Sequence, residues 1–124
     1  MEETSKTKVR DYRDLIARQK SIGLVKSVYA LTRKFPKTET YSLADQVQRA
    51  AISVPSNIAE GQSRQHGAEF RQFLYIALGS TAEVDTQIVI AEQLGYITKA
   101  EHDAIYQQLC EVRRLIRGLV TSIK

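Results

Sequence analysis

Residues 69–94, EFRQFLYIALGSTAEVDTQIVIAEQL, decide the fold. Within them Phe70, Leu74, Ala77, Thr81, Val84, Ile88 and Ala91 step by four and three without a fault. That spacing tracks the 3.6-residue turn, so the seven side chains share one helix face and read as the seam of a helical bundle. A second feature lies off the seam. Between Phe70 and Ala82, the residues Phe73, Tyr75, Ile76, Leu78 and Gly79 make the helix apolar nearly all round. A helix that is apolar on more than one side is buried on more than one side. Each helix of a four-helix protein normally keeps a wet face, so Phe73, Tyr75, Ile76 and Leu78 are expected to touch another subunit.

The seam extends outward in both directions. After this helix, read as 68–94, the turn Gly95-Tyr96-Ile97 leads to Thr98 and Glu101, spaced as a capping box. Ile105, Leu109, Val112, Ile116, Leu119 and Ile123 then carry a last helix to the C-terminus. Before it, QSRQHG (62–67) is a connection, and Gly61 marks the end of the preceding helix. That helix is expected to begin after Ser42 as N-cap, with Asp45 helping its first turn. Its apolar stripe is Leu43, Val47, Ala50, Val54 and Ile58. Pro55 lies inside it, removes a backbone donor and crowds the turn before it, which predicts a kink near 51–54; a full break, giving five helical pieces, is the alternative. A first helix over 11–34 takes Leu15, Ile22 and Tyr29, seven apart, as its seam, with Val25 and Val28 filling the stripe. It stops before Pro36. Residues 1–10 are polar and unpatterned and read as a flexible tail. The expectation is an all-α chain: an antiparallel up-down four-helix bundle over 11–124, with its second helix kinked at Pro55.

Composition agrees with one such domain. The chain has 124 residues, 43% hydrophobic and 26% charged, with 6 Gly, 2 Pro and no Trp, which leaves room for long helices and little for turns. A single cysteine, Cys110, excludes an intrachain disulfide and, close to the seam, reads as a half-buried small hydrophobe. No signal peptide opens the sequence and no apolar run is long enough to span a membrane, so the cytoplasm is the default compartment.

Chemistry is hard to find. The two histidines, His66 and His102, have no Glu three residues before them, and one Cys with two distant His does not make a zinc site. No metal, cofactor or catalytic residue is assigned. Neither a GxSxG elbow nor a phosphate-cradling glycine loop occurs, and no Arg has a His four to six residues downstream. One constellation stands out: Gln46, Arg49, Ser53, Asn57 and Glu60 step by three and four beside an apolar stripe, and Glu83 and Gln87 face a similar angle on the next helix. Polar groups near a seam need partners, so an Arg49 pair with Glu83 or Glu60 inside a register-fixing network is the favoured expectation, and a ligand- or partner-facing groove and plain solvent exposure are the alternatives. The net charge of +4 permits an acidic partner such as nucleic acid. Candidate phosphate contacts are Lys20, Lys26, Arg49, Arg64, Arg71, Arg113, Arg114 and Arg117.

The middle of the chain carries a resemblance. QVQRAAISVPSNIAEGQSR (46–64), the 69–88 stretch, AEQLGYI (91–97) and the upstream VYALTRKFPKTETYSL (28–43) together resemble the bacterial four-helix-bundle family of 23S rRNA intervening-sequence proteins. The resemblance runs from about Leu15 to Leu119. It implies a bundle that assembles as a ring, commonly a homopentamer, and a family without enzymatic activity. The related accessory variability proteins of diversity-generating retroelements bind nucleic acid and a reverse transcriptase. Carried to this sequence, the signature residues are Arg49, Pro55, Asn57, Glu60, Gly61, Gly79, Ser80 and Glu83, with Gly79 and Ser80 permitting close helix approach. Two functions follow as expectations: an oligomeric accessory protein that binds RNA or DNA, or a protein-interaction scaffold without nucleic-acid affinity.

Overall fold

The computed structural model describes residues 2–123, and their side chains from residue 12 onward. The helices are α1 (Glu2–Thr32), α2 (Leu43–Gln62), α3 (Gly67–Gln93) and α4 (Lys99–Ser122), with one 3-10 turn (Lys37–Glu39) between the first two. The tail expected over 1–10 falls within the span of α1 from Glu2 onward; Met1 and the side chains before Tyr12 lie outside the described residues.

Packing joins α1 to α2, α2 to α3, α3 to α4 and α4 back to α1, a closed circuit of four helices. Lys34 meets Glu101, the Ser27 hydroxyl meets the Gln108 amide and Lys20 meets Glu111, so numbers fall along α4 as they rise along α1. The same inversion relates α3 and α4, where Glu92 meets His102 and Arg71 meets Ile123. The core is one cluster whose largest fully buried side chains include Phe70, Leu24, Ile58, Leu74, Ile88, Leu109 and Ile116. The seams read for the last two helices are its walls. α2 runs unbroken through Pro55, so five helical pieces are not what forms.

The seam expected for α1 is a correction. Leu15, Ile22 and Tyr29 are exposed, and Val25 is half-buried. The buried line is Ala17, Ser21, Leu24, Val28 and Leu31, with Asp14 at its N-terminal end. Ser21 is tolerated inside because its hydroxyl donates to the Ala17 and Arg18 carbonyls at 2.9 Å. Two large apolar series seven residues apart therefore run along α1, and the one with small and polar members is the inner one.

The end of the bundle that holds the α1–α2 and α3–α4 connections is clasped by Glu39. Ser42 stands at the N-cap of α2 but makes no capping bond; its hydroxyl donates to the Glu39 carboxylate, which itself accepts the Leu43 N–H at 3.3 Å. Tyr96 in the far connection donates to the other Glu39 oxygen at 2.7 Å and packs its ring 5.6 Å from that of Phe35. Tyr96 is placed by Gly95, whose φ of +79° opens a turn in which Tyr96 N–H reaches the Ala91 carbonyl and Gly95 N–H that of Glu92, both at 2.9 Å. The capping box read at Thr98 and Glu101 is present in both halves. The hydrogen bond from the Ser42 hydroxyl first, then those from the Tyr96 phenol and the Leu43 backbone N–H, hold the Glu39 carboxyl below its ordinary 4.5, and the bond to Glu39 pushes the Tyr96 phenol up. A depressed folded-state pKa gives stability that is complete above the unfolded value and lost as pH falls through the folded one. The melting-temperature gap between wild type and Glu39→Gln is therefore expected to be widest above about pH 5 and to close toward about pH 3. A gap unchanged across that range would show that the Glu39 charge does not hold the clasp.

At the opposite end Gly61 is buried in the last turn of α2, and it does not take the left-handed conformation of a helix-ending glycine. Its role is close approach: a Cβ there would stand 2.8 Å from Phe70 Cδ1 and from Phe73 Cβ. Gly79, read as a close-approach position, has no heavy atom within 4 Å of a built Cβ and faces outward; Ser80 is the buried member of the pair.

Candidate nucleic-acid interface

Charge is unevenly shared between the two halves of the bundle. The half that includes the α2–α3 connection and the C-terminal part of α4 carries Arg13, Arg18, Lys20, Arg64, Arg71, Arg113, Arg114 and Arg117. Its surface acids among the described residues are Glu60, Glu69 and Glu111. The other half holds most of the acids, including Glu39, Asp45, Glu83, Asp85, Glu92, Glu101 and Asp103.

Within the basic half the arginines differ in commitment. Arg64 pairs with Glu60 at 3.1 Å and lies 4.9 Å above the Phe73 ring, and Arg71 donates to the Ile123 carbonyl at 3.1 Å. Both are tied into the fold. By contrast, among the described residues Arg13, Arg113, Arg114 and Arg117 enter no ion pair. Arg113, Arg114 and Arg117 line a groove of about 380 Å³ on the outer side of α4 together with Tyr106 and Cys110. Arg114 also lines an adjoining hollow of about 270 Å³ with Arg13 and Ile16 of α1. The i, i+3 and i+4 spacing on α4 throws these guanidinium groups to one side of the helix, and the antiparallel fit of α1 adds Arg13. Tyr106 is exposed at the groove, and Tyr12 and Tyr75 are exposed on α1 and α3 of the same half. Unpaired guanidinium groups with the exposed Tyr106 ring beside them suit phosphate contact and base stacking.

The other expected contacts do not join this cluster. Lys20 is paired with Glu111 at 3.6 Å, Arg49 with Asp45 of its own helix at 2.8 Å, and Lys26 stands on the outer face of α1. Arg13 was absent from the candidates because a lone arginine near an unpatterned N-terminus carries no signal until the fold sets it against α4.

The polar stripe of α2 divides. Ser53 and Ser80 hydroxyls are 2.8 Å apart, and the Asn57 amide donates to the Ser53 hydroxyl and carbonyl at 2.9 and 2.8 Å. This is the register-fixing part of the expected network. Arg49 meets neither Glu83 nor Glu60; Asp45, one turn back, takes its guanidinium, Glu60 turns to Arg64, and Gln46 and Glu83 are exposed. Of the four residues expected at a subunit contact, Tyr75 and Ile76 are exposed, while Phe73 and Leu78 are half-buried.

Cys110 is exposed, a correction to its reading as a half-buried hydrophobe: one residue past Leu109 is 100° around the helix, enough to leave the core. Its contact pushes the Tyr106 phenol up. Native protein is expected to take up one equivalent of a thiol reagent such as DTNB without denaturant. Labelling that requires unfolding would contradict this placement.

Fold and surface together define a class: a four-helix bundle whose unpaired arginines gather along one half of its length, in which no helix of the described residues is long and apolar enough to cross a membrane. Within that class, the chain belongs to the family described as 23S rRNA-intervening sequence protein, whose model matches residues 13–118. A crystal structure from Bacteroides thetaiotaomicron VPI-5482, described as a protein with unknown function from the S23 ribosomal protein family, is similar in fold, with a TM-score of 0.79 and 23% identity over 88% of this chain and 98% of that one. No curated protein matches the chain.

Proposed function

We propose that this chain is a non-enzymatic accessory protein that works as an oligomer and binds nucleic acid through phosphate contacts from Arg13, Arg113, Arg114 and Arg117. The observation that carries the reading is the set of guanidinium groups around the α4 groove that no carboxylate neutralises among the described residues. Folding gains nothing from four like charges brought together, and a polyanion supplies what they lack. The reading is one of backbone contact with limited sequence preference, because the cluster lies on the side of a packed helix and offers no element that reaches into a groove. A homopentamer, which the family resemblance implies, would repeat the patch five times and raise avidity without new contacts.

Gel filtration with light scattering and absorbance at two wavelengths, run at low and high salt, tests this. An oligomer that carries nucleic acid at about 50 mM salt and sheds it at high salt supports the reading. An oligomer free of nucleic acid at both, even with RNA added, favours a scaffold that docks protein alone.

A further inference from the structure

On α4 the residues His102, Tyr106, Cys110, Arg113 and Arg117 step by four, four, three and four, so they stand in one column along the helix. The column changes character along its length. Arg113 and Arg117, toward the C-terminus, enter no ion pair among the described residues. At the other end His102 is held between two carboxylates of α3, with Glu92 2.5 Å from Nδ1 and Asp85 3.9 Å from Nε2. Tyr106 lies between the two ends, about 10 Å of helix from Arg113 and about 16 Å from Arg117.

An exposed tyrosine alone is ordinary, but this ring is braced. The His102 ring meets it edge-on, with 84° between the planes and 6.5 Å between the centroids, and the Cys110 thiol engages its phenol. Tyr106 is still 46% exposed, and it lines the groove of about 380 Å³ with Arg113, Arg114 and Arg117. A ring already held in place loses little freedom when a flat ligand stacks on it. The groove therefore offers two chemistries side by side: an aromatic face for a neutral ring and unpaired guanidinium groups for phosphate.

These features fit one strand of a nucleic acid better than a duplex. A duplex keeps its bases inside and shows phosphate along its whole length, about one charge per 1.7 Å of axis. Laid along the column, it would bring phosphate toward Asp85 and Glu92 at the Tyr106 end, where like charges repel, and would leave the ring without a partner. One strand carries half that density, about one charge per 3.4 Å, and its unpaired bases are free to turn outward. A neutral base then occupies the acidic end while neighbouring phosphates reach the arginines.

We infer that the α4 groove takes single-stranded nucleic acid, with one base stacked on Tyr106 and adjoining phosphates on Arg113, Arg114 and Arg117. The inference rests on the nucleic-acid reading above and names the form of nucleic acid that this site selects. Stacking on one ring accepts any base, so the preference is for an unpaired strand and not for a sequence.

Fluorescence anisotropy tests it with two probes, a labelled unstructured RNA of about 16 nucleotides and the same strand annealed to its complement, on wild type, Tyr106→Ala and Tyr106→Phe. Melting curves show whether the variants fold. Wild type is expected to bind the single strand about tenfold more tightly than the duplex, the difference that stacking one base supplies. Tyr106→Ala is expected to weaken single-strand binding about tenfold at an unchanged salt slope, because no phosphate contact is removed. Tyr106→Phe keeps the ring and is expected to recover most of that loss. A wild type that binds neither probe at about 50 mM salt overturns the nucleic-acid reading and this inference with it. A wild type that holds the duplex as tightly as the single strand overturns this inference alone, and so does a folded Tyr106→Ala that binds the single strand as wild type does. The comparison of the two probes needs no variant, so it decides the matter even if Tyr106→Ala unfolds.

Discussion

Phe70→Ala is expected to destabilise the fold by about 3–5 kcal/mol, the usual cost of emptying a fully buried aromatic position. Phe70 is the largest fully buried side chain and fills the end of the bundle where α2 hands over to α3. Its ring lies against Gly61, close enough that an added Cβ would reach Phe70 Cδ1 at 2.8 Å and the Phe70 carbonyl at 3.2 Å. α2 therefore cannot slide inward to refill the hole without moving backbone, and most of the cavity stays open. Against a total stability of about 5–15 kcal/mol this loss is large, and chemical denaturation followed by circular dichroism at fixed protein concentration reads it directly. Gly61→Val attacks the same joint from the other side by overpacking, at about 1–3 kcal/mol. A loss below about 1 kcal/mol for Phe70→Ala would mean that this end is loosely packed and the close approach at Gly61 is not what sets it.

The triple substitution Arg113→Ala, Arg114→Ala and Arg117→Ala is expected to remove most nucleic-acid affinity while leaving the fold intact. All three lie on the outer side of α4, Arg114 and Arg117 exposed and Arg113 half-buried, and none is held by an ion pair among the described residues. Alanine is also a better helix former, so α4 gains slightly. Three phosphate contacts at about 1 kcal/mol each correspond to a rise in Kd on the order of 100-fold. The salt dependence should flatten by roughly two to three units of slope per chain. Fluorescence anisotropy with a labelled oligonucleotide measures both, and an unchanged Kd would remove the α4 groove from the interface. Arg64→Ala is the control from the same half: its guanidinium is already engaged by Glu60 and Phe73 and should matter less to binding.

The seams of α3 and α4 were legible because in each an unbroken run of residues, nearly all apolar, steps by four and three along one face. α1 misled for a definite reason. Leu15, Ile22 and Tyr29 give the stronger hydropathy signal, whereas Ala17 and Ser21 on the true inner face give almost none. Hydropathy reports which side chains can be buried, and choosing between two candidate faces takes the neighbouring helices. The double apolar character of α3 was likewise visible in sequence, but it divides on folding: Phe73 and Leu78 lean inward and Tyr75 and Ile76 stay out. Polar pairing was the least legible. Arg49 has Asp45 one turn away, and that local partner wins over Glu83 and Glu60, the ones expected from the polar stripe. The Glu39 clasp joins two connections far apart in sequence and has no short-range signature, so nothing in the sequence marked it out beyond a turn that contains Gly95. The arginine cluster was half legible, since the α4 trio falls within residues 113–117 and Arg13 joins it only through the fold.

The central claim is that unpaired arginines along one half of the bundle hold nucleic-acid phosphate. Its most direct test is an equilibrium anisotropy titration of the wild-type chain with a labelled RNA at salt concentrations from about 50 to 200 mM. Contacts from Arg13, Arg113, Arg114 and Arg117 predict binding at the low end and a plot of log affinity against log salt with a slope of roughly −3 per chain. No binding at about 50 mM, or an affinity that does not change with salt, would contradict it.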